Sequence, residues 1–134
     1  MKLNHVSIVF PTNDLVTVNA KFDTATYLAV YDVSAKSAEF LHAAQFDTDS
    51  PADQQLQERC AVTDGSSILF TFGQLSGLAA FHMVNHKVFA IKISAPEPID
   101  TLIERTQEMM QSHPPLWLQR ALNHQEGSKS EAKV

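Results

Sequence analysis

Val18-Asn19-Ala20-Lys21-Phe22-Asp23, leading through Thr24 and Ala25 into Thr26-Tyr27-Leu28-Ala29-Val30-Tyr31-Asp32-Val33, is the stretch that decides how this chain folds. A polar loop passes into a run of β-branched and aromatic residues whose alternation predicts a strand over Tyr27–Val33. Ala38–Phe46 predicts a second strand. Ser34-Ala35-Lys36 between them is short and polar, so the two form an antiparallel hairpin. In the second strand Phe40, Ala44 and Phe46 are expected to share a face with His42, with Glu39 and Gln45 on the other.

Upstream, Val6-Ser7-Ile8-Val9-Phe10 reads as a short buried strand ended by Pro11. Downstream, Asp49-Ser50-Pro51-Ala52-Asp53 opens a helix, with Ser50 as cap and Pro51 in the first position. Its apolar stripe is Leu56, Cys60 and Ala61, and Asp64-Gly65 stops it. Ser67–Phe72 is nearly all apolar, as a central strand covered on both faces should be. Gly73–Gly77 is a tight turn into a short helix over Leu78–Asn85, whose core face is expected to be Ala79, Ala80, Met83 and Val84. Val88–Ile93 is the last strand. Glu97–Ser112 is the best-defined helix, with Ile99, Leu102, Ile103, Thr106 and Met110 at helical spacing. His113-Pro114-Pro115 ends it. This order predicts an α/β protein: a three-layer, mixed five-stranded sheet with helices on both faces. Residues 1–113 form the core domain, and 114–134 a carboxyl-terminal segment whose end, beyond Leu122, reads as a frayed tail.

Composition narrows the function. A 134-residue chain with 44% apolar and 19% charged residues fits one soluble globular domain. The net charge of −5 argues against a nucleic-acid partner, which calls for a basic face. The apolar run around Ile68-Leu69-Phe70 is far short of the ~20 residues of a membrane span. The amino end enters a strand rather than a signal-peptide segment, so a cytoplasmic location is expected. The single cysteine, Cys60, rules out an intrachain disulfide and a Cys-x-x-Cys metal site. It sits on an apolar stripe as a small hydrophobe. No nucleophile elbow, phosphate-cradling glycine loop or dinucleotide fingerprint is present, so the chain is not expected to be an enzyme. Asp14, Asp32 and Asp64 are the carboxylates a nuclease would need, but Asp14 lies in a loop and the chain is acidic.

The segment from Val18 to Val33, with Asn13-Asp14-Leu15 before it and Pro114-Pro115-Leu116-Trp117-Leu118 near the end, resembles the NifX/NafY family. Members of that family carry or insert the iron–molybdenum cofactor of nitrogenase. The family pattern is Asp-Leu, a few residues, Val-Asn-Ala-His-Phe-Gly, then an Ala-Val-Tyr-Asp-Val strand. Here Lys21 stands in place of the histidine and Asp23 in place of the glycine. Leu75-Ser76-Gly77-Leu78-Ala79-Ala80 resembles the family's Ile-Gly-Gly-Pro-Ala-Ala turn, and Pro115–Leu122 its carboxyl motif. The resemblance implies a ribonuclease-H-like topology and a cytoplasmic accessory protein of nitrogenase maturation. Such a protein would bind or escort the iron–molybdenum cofactor or its iron–sulfur precursor. The alternative is a docking factor for a nitrogenase component or assembly scaffold, without metal ligation.

Ligands of such sheets usually lie beyond the carboxyl ends of strands, here between Thr12–Lys21 and Gly73–Gly77. The cofactor-binding candidates are Asn19, Lys21, Ser76, Gly77, His82 and His86. The family's loop histidine is the residue implicated as a ligand. A lysine ammonium has no free lone pair for iron, but attracts an anionic cluster or carboxylate as a point charge. Backbone amides at a helix amino end attract anions, and small residues permit close approach. His82 and His86, four apart, project from one side of their helix, with no third ligand nearby in sequence. Trp117 and Leu118 are the partner-docking candidates, since tryptophan is enriched at binding hot spots.

Overall fold

The computed structural model describes residues 5–46, 49–112 and 114–123. The expected tail beyond residue 123 and the helix-ending His113 lie outside the described residues. The strands are β1 (His5–Thr12), β2 (Thr17–Val18), β3 (Tyr27–Ser34), β4 (Ala38–Gln45), β5 (Ile68–Phe72), β6 (Phe89–Ile93) and β7 (Glu97–Pro98). The helices are α1 (Ala52–Val62), α2 (Gly77–Asn85) and α3 (Ile99–Gln111), with a 3-10 turn at Phe22–Thr24 and a closing helix over 116–123.

The main sheet runs β4-β3-β1-β5-β6. β3 is antiparallel to both β1 and β4, and β1, β5 and β6 are parallel. This is the ribonuclease-H-like order expected. β5 is interior, but the middle strand is β1, because the two crossover strands stack on one side of β1 and the hairpin occupies the other. Pro11 does not end β1, which continues to Thr12 and pairs Pro11 with Leu28. The last β1–β5 pair is Val9 with Leu69, so Pro11 lies where one side of the strand carries no ladder to break.

Two apolar layers sandwich the sheet. On one face Val6, Ile8, Phe10, Ala29 and Val33 meet Ile99, Leu102 and Ile103 of α3 together with Leu118 and Ala121. Phe10 stacks on Phe70 and meets Tyr31 edge-on. On the other face Val9, Leu28, Val30 and Leu69 meet Cys60 of α1, Ala79 and Met83 of α2, and Phe22.

The register of the hairpin departs from simple alternation. Val30 pairs with His42 but Tyr31 pairs with Phe40, which leaves Leu41 as a bulge. The extra residue inverts parity, so Phe40 joins Tyr31 (ring centroids 5.4 Å apart) while Ala44 and Phe46 pack on the opposite face. The expected shared face is therefore split.

Two helix boundaries and one helix face also differ from expectation. Pro51 itself is the N-cap of α1, without a side-chain bond, and Ser50 offers its carbonyl to the Gln55 amide instead. Ala61 is exposed, and the buried row of α1 is completed by Arg59. Glu97 and Pro98 stay extended to pair with Val18 and Thr17, so α3 begins only at Ile99.

Candidate functional site

The loop between β1 and β3 is built by its own side chains. The Asp14 carboxylate accepts the backbone N–H groups of Val16 and Thr17, both at 2.9 Å. These bonds hold its carboxyl below the usual carboxylate range, with the Thr12 hydroxyl adding to them. Thr12 accepts from the backbone of Leu15, which adopts a left-handed φ of 65°. Asn13 donates its backbone N–H to the Asn19 side chain and accepts that of Thr26. Asn19 is thus engaged in holding the loop, and its amide also reaches Asp14 at 3.4 Å.

Lys21 follows, exposed, as the residue before the 3-10 turn. Its aliphatic chain crosses Gly73, at the start of the β5–α2 turn. A Cβ placed on Gly73 would lie 3.2 Å from Lys21 Cε. Gly73 also has a φ of +84°, a backbone conformation that favours glycine. The contact joins the two segments expected to line the crevice. Phe22 anchors them from below: it is fully buried and donates its N–H to the Thr71 hydroxyl of β5. Ser76 caps α2, its hydroxyl accepting the Ala79 N–H at 3.2 Å. Gly77 faces open space. Asn19, Lys21, Ser76 and Gly77 therefore belong to one edge of the molecule.

Asp23, where the family pattern has glycine, lies half-buried beneath this edge. One of its carboxylate oxygens is buried without a hydrogen bond. Its charge instead favours the Arg59 guanidinium, which burial otherwise pushes down in pKa. Arg59 is fully buried, donates to the Ala25 carbonyl at 2.6 Å and lies over the Phe46 ring at 4.5 Å. The substitution of glycine by Asp23 is thus matched by a cation from α1.

His82 and His86 stand elsewhere. From Ser76 the helix carries them roughly 9 and 15 Å along its axis, at about 1.5 Å per residue. The six cofactor-binding candidates form two groups rather than one. α2 is also turned from its expected orientation. Ala79 and Met83 are buried as expected, but Ala80 is exposed, as are Leu78, Phe81 and Val84, while His82 turns toward α1. There His82 Nε2 lies 3.1 Å and His86 Nδ1 3.6 Å from one carboxylate oxygen of Asp64, just past the end of α1. The two rings stack with centroids 4.1 Å apart. They open onto a groove of about 550 Å³ between α1 and α2. Cys60 lines the same groove, its thiol pushed up in pKa by burial and then by the charges of Asp23 and Asp64. Sequence reasoning missed Asp64 as a neighbour because it lies 18 residues from His82. The signal was topological: α1 enters β5 and α2 leaves it on the same face.

The other candidates resolve simply. Leu118 is fully buried in the α3 layer and is not available to a partner; Trp117 packs against the same layer with part of its surface open. Asp32 pairs with His5 at 2.9 Å, and among the described residues Asp14, Asp32 and Asp64 do not converge on one another. No helix among the described residues is long and apolar enough to cross a membrane.

Strand order and layering define a ribonuclease-H-like three-layer α/β protein. The crystal structure of PH0822 has the same fold, with a TM-score of 0.60 and 13% identity over 76% of this chain and 88% of that one. The chain belongs to the family described as dinitrogenase iron-molybdenum cofactor, whose model matches residues 4–109. It is similar to NifX of Sinorhizobium fredii (strain NBRC 101917 / NGR234), 31% identical over 86% of this chain and 76% of the relative. It is also similar to NifX of Rhodobacter capsulatus, 32% identical over the same shares, and NifX of Herbaspirillum seropedicae, 26% identical over 87% and 82%.

Proposed function

We propose that this protein is a non-catalytic accessory factor of nitrogenase maturation that binds and escorts the iron–molybdenum cofactor or its iron–sulfur precursor. The family supports the cofactor-related role. The observation that carries the reading is the placement of Lys21 across Gly73, beside the capped amino end of α2. An ammonium group, the positive end of the α2 dipole and the open approach at Gly77 suit a large anionic cargo. With lysine in place of histidine the loop contributes attraction, not ligation, so cargo is held electrostatically and yields to salt.

Anaerobic titration with extracted iron–molybdenum cofactor, followed by iron and molybdenum analysis of the desalted protein, tests this. Lys21→Glu should lower retention, and Lys21→His should raise it by supplying an imidazole ligand. Equal retention by all three proteins would remove the loop from the site.

A second reading, docking on a nitrogenase component or assembly scaffold without metal ligation, is favoured by the outer row of α2. Leu78, Phe81 and Val84 are 70%, 67% and 76% exposed. Phe81→Glu should abolish capture of such a partner under that reading and leave cofactor retention unchanged.

A further inference from the structure

We propose that Asp64, His82 and His86 form a binding site for a single divalent transition-metal cation of the zinc type, separate from the Lys21 edge. Their three ligand atoms lie within 4.8 Å of one another. Two donors held about 2.1 Å from a zinc ion at a tetrahedral angle stand about 3.4 Å apart. The Asp64–His82 and Asp64–His86 separations, 3.1 and 3.6 Å, bracket that value. Two imidazoles and one carboxylate also match the chemistry of zinc, cobalt and ferrous ions better than that of calcium or magnesium.

The elements hold the donors in place. His82 lies on α2 and His86 is its C-cap one turn on, while Asp64 lies two residues past the end of α1 across the groove. Ligation requires only local change. The hydrogen bond between His82 Nε2 and Asp64 gives way to a metal bond, and the neutral ring carries its proton on Nδ1, so Nε2 is free to ligate by a change of tautomer with no proton lost. Three protein donors leave a further position open toward the groove, where water or a group on another molecule can bind. Cys60 lines the groove, but its sulfur is not among the three donor atoms that lie together. The site stands independently of the cargo reading, because it uses none of the residues at the Lys21 edge.

The test is titration of the metal-free full-length chain with cobalt(II), read by its visible absorption bands, and competition with zinc(II). Wild type should bind one equivalent with bands of low-symmetry cobalt. Asp64→Asn and the double variant His82→Ala/His86→Ala should each weaken binding by about tenfold or more. Lys21→Glu and His5→Ala should bind as wild type does. Zinc should raise the Tm of wild type and leave that of the double variant unchanged, a readout that also shows the variant folded. Identical titrations for wild type and the double variant, or no cobalt bands at equimolar metal, would overturn the proposal.

Discussion

The side chain of Lys21 lies flat across Gly73, so the loop after β2 and the turn after β5 are closed against each other by one residue that has a long chain and one that has none. Gly73→Ala attacks this contact twice. The left-handed φ of +84° costs a residue with a Cβ about 1–2 kcal/mol, and the new methyl group meets the lysine stem at 3.2 Å. The stem is flexible and can swing away, so most of the loss comes from backbone strain. Chemical denaturation of Gly73→Ala alone and combined with Lys21→Ala should show the larger part of the loss persisting in the double variant. Full recovery in the double variant would mean that the clash, not φ, sets the requirement.

Arg59 is the polar residue whose replacement should matter most for stability. Arg59→Met retains much of the volume but leaves the Ala25 carbonyl without its donor and Phe46 without its cation. A loss of about 2–4 kcal/mol is expected. Asp23→Asn should cost less, since it removes an attraction and no hydrogen bond. Urea midpoints for the two variants check that ranking.

Asp14 makes the loop acid-sensitive. Its pKa is lowered in the fold, so its contribution is complete above the ordinary value of 3.8 and is lost as pH falls below it. Protection of the Val16 and Thr17 amides, measured against their intrinsic exchange rates at each pH, should fall over that acid range in wild type. In Asp14→Asn, which keeps an acceptor oxygen without a titrating proton, that change in protection should vanish.

Cys60 behaves in the opposite sense. Its pKa is raised, so the stabilisation tied to the protonated thiol holds below the ordinary value of 9.0 and declines as pH rises above it. At mildly alkaline pH a thiol reagent should label native protein far more slowly than urea-unfolded protein. Comparable rates would show the groove open to the sulfur.

At the carboxyl end the expected order of damage is Leu118→Ala before Trp117→Ala, although tryptophan is the larger side chain. Leu118 is fully enclosed, where loss of a leucine costs about 2–5 kcal/mol, whereas Trp117 keeps solvent on one side. Thermal melts of the two variants decide the order.

The strands and helices were legible because their periodicity is local, and the approach of the loop after β2 to the turn after β5 because both follow strands whose order could be inferred. What was hidden depends on pairing across the chain. Nothing near Leu41 announces a bulge, yet that residue sends Phe40 to the other face of the sheet. The row of α2 that faces the sheet is chosen by α1, so Val84 could not be told from Met83 by apolarity alone. Asp64 read as a helix stop, and its two histidine neighbours emerged only when α1 and α2 came side by side. Residues 97–98 read as helix, and only their distant partners in β2 hold them extended.

That short ladder couples the two sides of the protein mechanically. Val18 pairs with Glu97 and Thr17 with Pro98, while the Val16 carbonyl takes the first N–H of α3 at 2.9 Å. The lysine-bearing loop is therefore tied to α3, which packs on the opposite side of the sheet from α2. Its conformational entropy is largely surrendered during folding. A molecule that settles at the Lys21 edge gains by not having to order that segment.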